Sequence, residues 1–338
     1  MNEERVNFGI VMRTAFSLIP LLFGLPTPAM VLCAYNISMS YMVCGPITAV
    51  ASSLCTVCLS MVLCGFFGAA GQLQGLYIGL QAVLCAAACI YAVRKKSGFY
   101  TGMRLAAAAY LLPSCADLYF SAKKAGESIA DFLTKQPLEL MKSQLHALCA
   151  QVGTGTESVD ALLSVITKFT VMIIPSVLII SSTVIGYIVM WCVCAPLRKT
   201  PMRVPHSFAM IRTPKTVVLL LAAALGAAAL SDSSTVTYAA VNVAMIFSAV
   251  CFFGGMSIAD YYMRRVIPST VLRVIIHFII YILSAALSGV TLYVNIFTVY
   301  ILLGAVGAFV NLRRLPDNLY GEDAASEEES ALNEREGQ

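Results

Sequence analysis

Between Arg13 and Arg94 the chain contains no Asp, Glu, Lys or Arg, a run of eighty residues without formal charge. Ordinary globular domains devote about 25% of their residues to charge, whereas here 12% of 338 residues are charged and 59% are hydrophobic. A water-soluble fold has nowhere to place so much apolar surface. At about 1.5 Å of rise per residue the run makes roughly 120 Å of helix, about four crossings of a hydrocarbon core some 30 Å thick.

Recognisable catalytic motifs are also missing. There is no phosphate loop, zinc-protease helix or nucleophile elbow. The three histidines are scattered without motif spacing. The expectation is therefore no enzyme and no cofactor. Cysteine is plentiful, at twelve residues, but most lie in apolar segments, so disulfide arithmetic does not apply. Cys55-Thr56-Val57-Cys58 and the i, i+4 pair Cys85 and Cys89 have the spacing for a soft metal, yet no His, Asp or Glu accompanies them in the charge-free run. They read as small buried hydrophobes, and no metal site is expected.

In lipid the backbone must satisfy its own hydrogen bonds, and long unbroken apolar runs favour helices over alternating barrel strands. The fold class is thus all-α, a polytopic transmembrane helix bundle over residues 1–315. Gly24-Leu25-Pro26-Thr27-Pro28, Gly45-Pro46 and the Gly-rich stretch from Gly65 to Gly75 interrupt the first run. They predict helices over about 8–24, 28–43, 46–66 and 72–93. Further spans follow at 103–120, 162–194, 217–230 and 236–258. The stretch 266–310 is too long for one crossing and is expected to turn near Asn295. Ten spans is the preferred count, within a range of eight to ten. The N-terminal leader mixes Glu3 and Glu4 with Arg5 and Arg13 and lacks a cleavage site, so it is expected to stay attached.

Charge placement sets the orientation. With the N-terminus inside, the cytoplasmic segments hold sixteen Lys and Arg, including Arg94, Lys95, Lys96, Arg264, Arg265, Arg313 and Arg314, against four in the one long external segment, 121–160. Both termini are then expected to be cytoplasmic. Within 121–160, Leu138, Met141, Leu145, Leu148, Cys149 and Val152 recur at helical intervals opposite Glu139, Lys142 and Gln144, which describes an amphipathic surface helix. Residues 316–338 carry eight acids against the single base Arg335 and read as a disordered cytoplasmic tail, solubilising or interacting.

Polar residues inside the spans are the functional candidates, because ionisable groups are costly there. Asn36, Gln72, Gln81, Asp117, Arg273 and His277 form the candidate ligand-binding set, with Gln74 beside them. Arg273 and His277 are four apart on one helix face, a pairing suited to an anion. Bland readings stand next to these: Arg273 and Lys168 snorkelling to headgroups, Asp260 pairing with Arg264 four residues on, and amides bonding between helices. Gly71, Gly75 and Gly79 form two small-xxx-small steps and read as helix packing.

The order of features over residues 6–315 resembles the YybS-like family of bacterial multi-pass membrane proteins. The matching pieces are the Pro26, Pro28 and Gly45-Pro46 breaks, His206-Ser207-Phe208 leading to Arg212-Thr213-Pro214, Gly254-Gly255-Met256-Ser257 with Tyr261-Tyr262, and Leu303-Gly304 to Arg313-Arg314. The N-terminal part, at Leu18 to Leu25, Pro26 to Pro28 and Gly45 to Leu63, is similar to the substrate-binding S components of energy-coupling-factor vitamin transporters. That resemblance implies a bundle binding or moving a small solute, S-component-like in part. The alternative is a non-enzymatic scaffold or assembly protein of the cell envelope. The expected partners are the lipid bilayer, a small-molecule ligand and another membrane protein, with no nucleic acid.

Overall fold

A computed structural model describes residues 3–66, 68–129, 131–133, 135, 157–196, 208, 211–287 and 296–313. The described part is helical throughout, with ten long helices: α1 Glu3–Leu22, α2 Pro26–Cys44, α3 Pro46–Gly65, α4 Ala69–Arg94, α5 Phe99–Ala125, α6 Glu157–Cys194, α7 Lys215–Leu230, α8 Ser234–Val266, α9 Thr270–Leu287 and α10 Ile296–Phe309. They fall into two compact units, Met1–Val204 with α1 to α6 and Pro205–Gln338 with α7 to α10. Most of the amphipathic external segment (136–156), the turn near Asn295 and the acidic tail lie outside the described residues.

Local chemistry sets the boundaries. Pro26 and Pro46 occupy first helical positions, where the missing N–H costs nothing. Gly45, with φ +95°, is the single residue between α2 and α3, so the two helices form a hairpin. The Thr48 hydroxyl donates to the carbonyls of Ser40 and Gly45 at 3.0 and 2.7 Å, tying the start of α3 to the end of α2. Hydroxyls inside the helices bond backwards in the same way, as from Ser38 to Ala34 O and Thr56 to Ser52 O, each at 2.8 Å.

Five segments are long and apolar enough to cross a membrane: Pro46–Gly65, Gly71–Arg94, Phe99–Ala125, Phe169–Cys194 and Ser234–Val266. Outward-facing apolar side chains such as Ile47, at 85% exposure, and Leu230, at 87%, fit a lipid surround rather than water.

In the first unit α4 is central, packing against α2, α3 and α5. Ala82, Cys85, Ala86, Cys89 and Ala92 are fully buried along one of its faces, so thin side chains bring neighbours close. Cys85 and Cys89 therefore act as core residues, packed with Cys33, Phe99, Val189 and Met190. Nearer the start of α4, a Cβ at Gly75 would lie 2.4 Å from the Ser60 carbonyl oxygen and one at Gly79 would lie 2.9 Å from Val57 Cα. Those two glycines bring α4 against α3, and Ser60 Oγ donates across the contact to Gly75 O at 2.8 Å. Gly71 is buried one turn earlier on α4.

The second unit is built on a closer crossing. A Cβ at Gly255 of α8 would lie 1.9 Å from the Tyr300 carbonyl oxygen, and one at Gly304 of α10 would lie 1.9 Å from that of Cys251. Around this crossing Phe252 stacks on Phe297 with centroids 5.2 Å apart, and α7 adds Leu221 and Ala224 against Ala244 and Cys251.

Candidate functional site

A cleft of about 180 Å³ opens between the start of α2, the first half of α4 and the middle of α5. Its lining comes from Pro26 and Thr27, from Gln74, Tyr77, Ile78 and Gln81, and from Tyr110, Ser114 and Asp117. The spacing on α4 is i, i+3, i+4, i+7 and that on α5 is i, i+4, i+7, so each helix presents one face. Apart from Ile78 and Pro26, every lining residue carries a polar group.

Gln81 Nε2 donates to Ser114 Oγ at 2.9 Å, and Ser114 Oγ donates to Tyr110 O at 2.8 Å, a chain tying α4 to α5 beneath the opening. Buried Pro113 lies beside this chain and has no N–H to give the Ala109 carbonyl. Asp117 is half-buried, and its only hydrogen-bond partner among the described residues is the Ser121 hydroxyl, at 3.4 Å. The cleft lies at the opposite end of α4 from Arg94, Lys95 and Lys96.

Of the residues expected to bind a ligand, the structure thus brings together Gln81 and Asp117, with Gln74. Asn36 does not line the cleft: its Nδ2 donates to Thr14 Oγ1 at 3.3 Å and links α2 to α1. Gln72 is exposed and lies over the end of α3, where a Cβ at Gly65 would meet its side chain at 2.9 Å. Arg273 and His277 belong to the second unit.

There two expectations need correction. Asp260 pairs with Arg273 and not with the expected Arg264, and Arg273 is buried rather than snorkelling. Arg273 Nε donates to Asp260 Oδ1 at 2.7 Å, Nη1 to the carbonyls of Ile267 and Pro268 at 2.9 Å each, and Nη2 to Thr270 Oγ1 at 3.3 Å. The physical reason is the turn at Pro268, which brings the start of α9 back beside the end of α8. A contact between helices then displaces the same-helix spacing. With Asp260, two carbonyls and a hydroxyl on its guanidinium, Arg273 is committed to closing that turn and not to an anion. His277 faces Tyr300, with Nδ1 3.2 Å from the phenol oxygen, and its buried Nε2 has no hydrogen-bond partner among the described residues.

A second network carried no role in the sequence reading. Arg313 donates from Nη1 to Ser257 Oγ at 2.7 Å and from Nη2 to Ile211 O at 2.8 Å, and Ser257 Oγ donates to the same carbonyl at 3.0 Å. Tyr262 adds a bond to Leu312 O at 2.7 Å. These contacts fasten the segment after α10 to the segment before α7 across the end of α8. The signal was present in the small residue Ser257 and the basic pair Arg313-Arg314, but their partners are up to 102 positions away.

Comparison with curated proteins and with solved structures found no match. The model of one family, the predicted membrane proteins of DUF2232, matches residues 10–298, and the chain belongs to that family.

Proposed function

We propose that this protein binds a small solute in the cleft between α2, α4 and α5, as a transport-related helical bundle of the bacterial plasma membrane. One observation carries the reading: polar residues of α4 and α5 converge on an open space, and Asp117 among them keeps most of its hydrogen-bonding capacity. Hydrophobic surroundings with a few convergent polar groups are the ordinary anatomy of a small-molecule site. The cleft is smaller than most drug-sized pockets, about 300 to 1,000 Å³, which suits a small solute.

In this reading all ten helices cross the bilayer, the shorter ones met by local thinning and by snorkelling of flanking residues. Both termini are cytoplasmic, and the cleft faces outward because the basic residues at the far end of α4 lie inside. The likeness of the N-terminal part to S components of energy-coupling-factor transporters supports a solute-binding role, by analogy alone. The protein does no chemistry on its solute in this account.

The test is ligand-dependent stabilisation of the full chain in lipid nanodiscs across a broad metabolite panel. A hit should be lost in Gln81→Trp, which fills the cleft, and retained in Gln72→Ala, outside it. No stabilisation by any metabolite, together with no copurifying ATPase, would sink the proposal.

A further inference from the structure

The charge of the cleft points to the kind of solute it takes. Among its lining residues Asp117 is the one ionisable at neutral pH; the others offer amides, hydroxyls, two tyrosine rings and the apolar surface of Ile78 and Pro26. Among the described residues no lysine, arginine or histidine lines the space. Lys123 and Lys124 lie about two turns further along α5 and are exposed, with Lys123 Nζ 6.0 Å from the Tyr119 ring centre.

A half-buried carboxylate whose hydrogen bonding is one long contact has acceptor capacity to spare, since an ionised Asp accommodates about four donors. It also repels an anion entering the same small space. Tyrosine rings add a negative face that tolerates a cation, and the tyrosine, serine and threonine hydroxyls can accept further N–H bonds. At about 30 Å³ per water, the volume holds roughly six waters, enough for a compact amine or the amine-bearing end of something larger.

We infer that the cleft is a site for a protonated amine, with Asp117 as its counter-ion and the Gln81–Ser114 pair as part of its floor. This rests on the cleft being the binding site proposed above. Free solutes and the ethanolamine headgroup of a lipid both supply that chemistry.

Three probes of one size and different charge decide it: benzylamine, benzyl alcohol and benzoate, titrated calorimetrically against the full chain in phosphatidylglycerol nanodiscs. Benzylamine should bind, benzyl alcohol about tenfold or more weakly, and benzoate not measurably. Asp117→Asn should bring benzylamine to the level of the alcohol, whereas Asp117→Glu should keep the preference for the cation. Adding phosphatidylethanolamine separates the sources: competition with benzylamine marks a headgroup, and its absence marks a free solute.

Benzoate or the alcohol binding the unaltered chain as tightly as the amine would overturn the inference, and that result does not depend on any variant folding. If all three bind without preference and Gln81→Trp abolishes all of them, the cleft stands and only the amine assignment falls. Benzylamine binding that survives Gln81→Trp would remove the cleft itself. If none of the three binds, the amine assignment is lost, and the cleft is judged by the wider metabolite panel.

Discussion

Substitution of Gly255 by alanine tests whether the second unit is held by backbone contact between α8 and α10. The added Cβ would lie 1.9 Å from the Tyr300 carbonyl oxygen and 2.7 Å from its carbon. Comfortable C···O contacts begin at about 3.3 Å, so the helices must part by roughly 1.4 Å. Neither partner can rotate away, because both contacting atoms are main chain. Overpacking of this kind costs about 1 to 3 kcal/mol, and weakening the close Cα–H···O contacts adds roughly 0.5 to 1 kcal/mol each. The expected loss is therefore about 2 to 4 kcal/mol.

Gly226→Ala provides the control, since that α7 glycine has nothing within 4 Å of the new methyl. It should be neutral or stabilising by up to about 1 kcal/mol, the ordinary helix preference for Ala over Gly. The assay is reversible unfolding in mixed micelles titrated with dodecyl sulfate, followed by circular dichroism. If Gly255→Ala unfolds within about 0.5 kcal/mol of the unaltered protein, or if Gly226→Ala is equally damaging, the close crossing is not what holds these helices.

Three further outcomes are expected. Arg273→Ala or Asp260→Asn should each cost about 3 to 5 kcal/mol in the same titration because each strands a buried partner, whereas the double replacement by leucines should cost less than either; additive losses would refute the pairing argument. In a chain without reactive cysteines, Gly126→Cys should react with an impermeant maleimide in intact cells and Ser97→Cys only after permeabilisation, while the reverse pattern would invert the orientation. Deleting 316–338 should leave ligand-dependent stabilisation unchanged; loss of a crosslinked partner, with insertion unaffected and no ligand found, would favour the scaffold reading.

The helices were largely legible because their breaks are local. Proline at 26 and 46 and glycine at 45 and 68 stop or start a helix through their own backbone chemistry, and the structure turns at those points. Helix ends were less legible where charge marked them. α8 was expected to finish at 258 and runs to Val266, carrying Asp260, Arg264 and Arg265. Charged side chains indicate where hydrocarbon gives way to water, but they do not stop a helix, so hydropathy reads the edge of the lipid rather than the end of the element. α5 likewise extends on both sides of the expected 103–120, to Phe99–Ala125.

Contacts between distant segments were not legible at all, and this explains which polar residues the sequence could not sort. In lipid, apolar surface supplies little drive for helices to associate, so small-residue contacts and polar bonds carry more of the specificity. The 71, 75, 79 spacing on α4 could be seen because it lies on one helix, whereas the closer contact of Gly255 with Gly304 joins residues 49 positions apart. Asp260, Arg273 and Asn36 have the same appearance as Asp117 and Gln81 in a hydropathy profile. What distinguishes them is whether packing uses up their hydrogen-bonding capacity. Asp260 and Arg273 close a turn, and Asn36 links α2 to α1. Asp117 keeps most of its acceptor capacity and borders an open space, and that difference makes its cleft, rather than the buried ion pair, the place to look for a ligand.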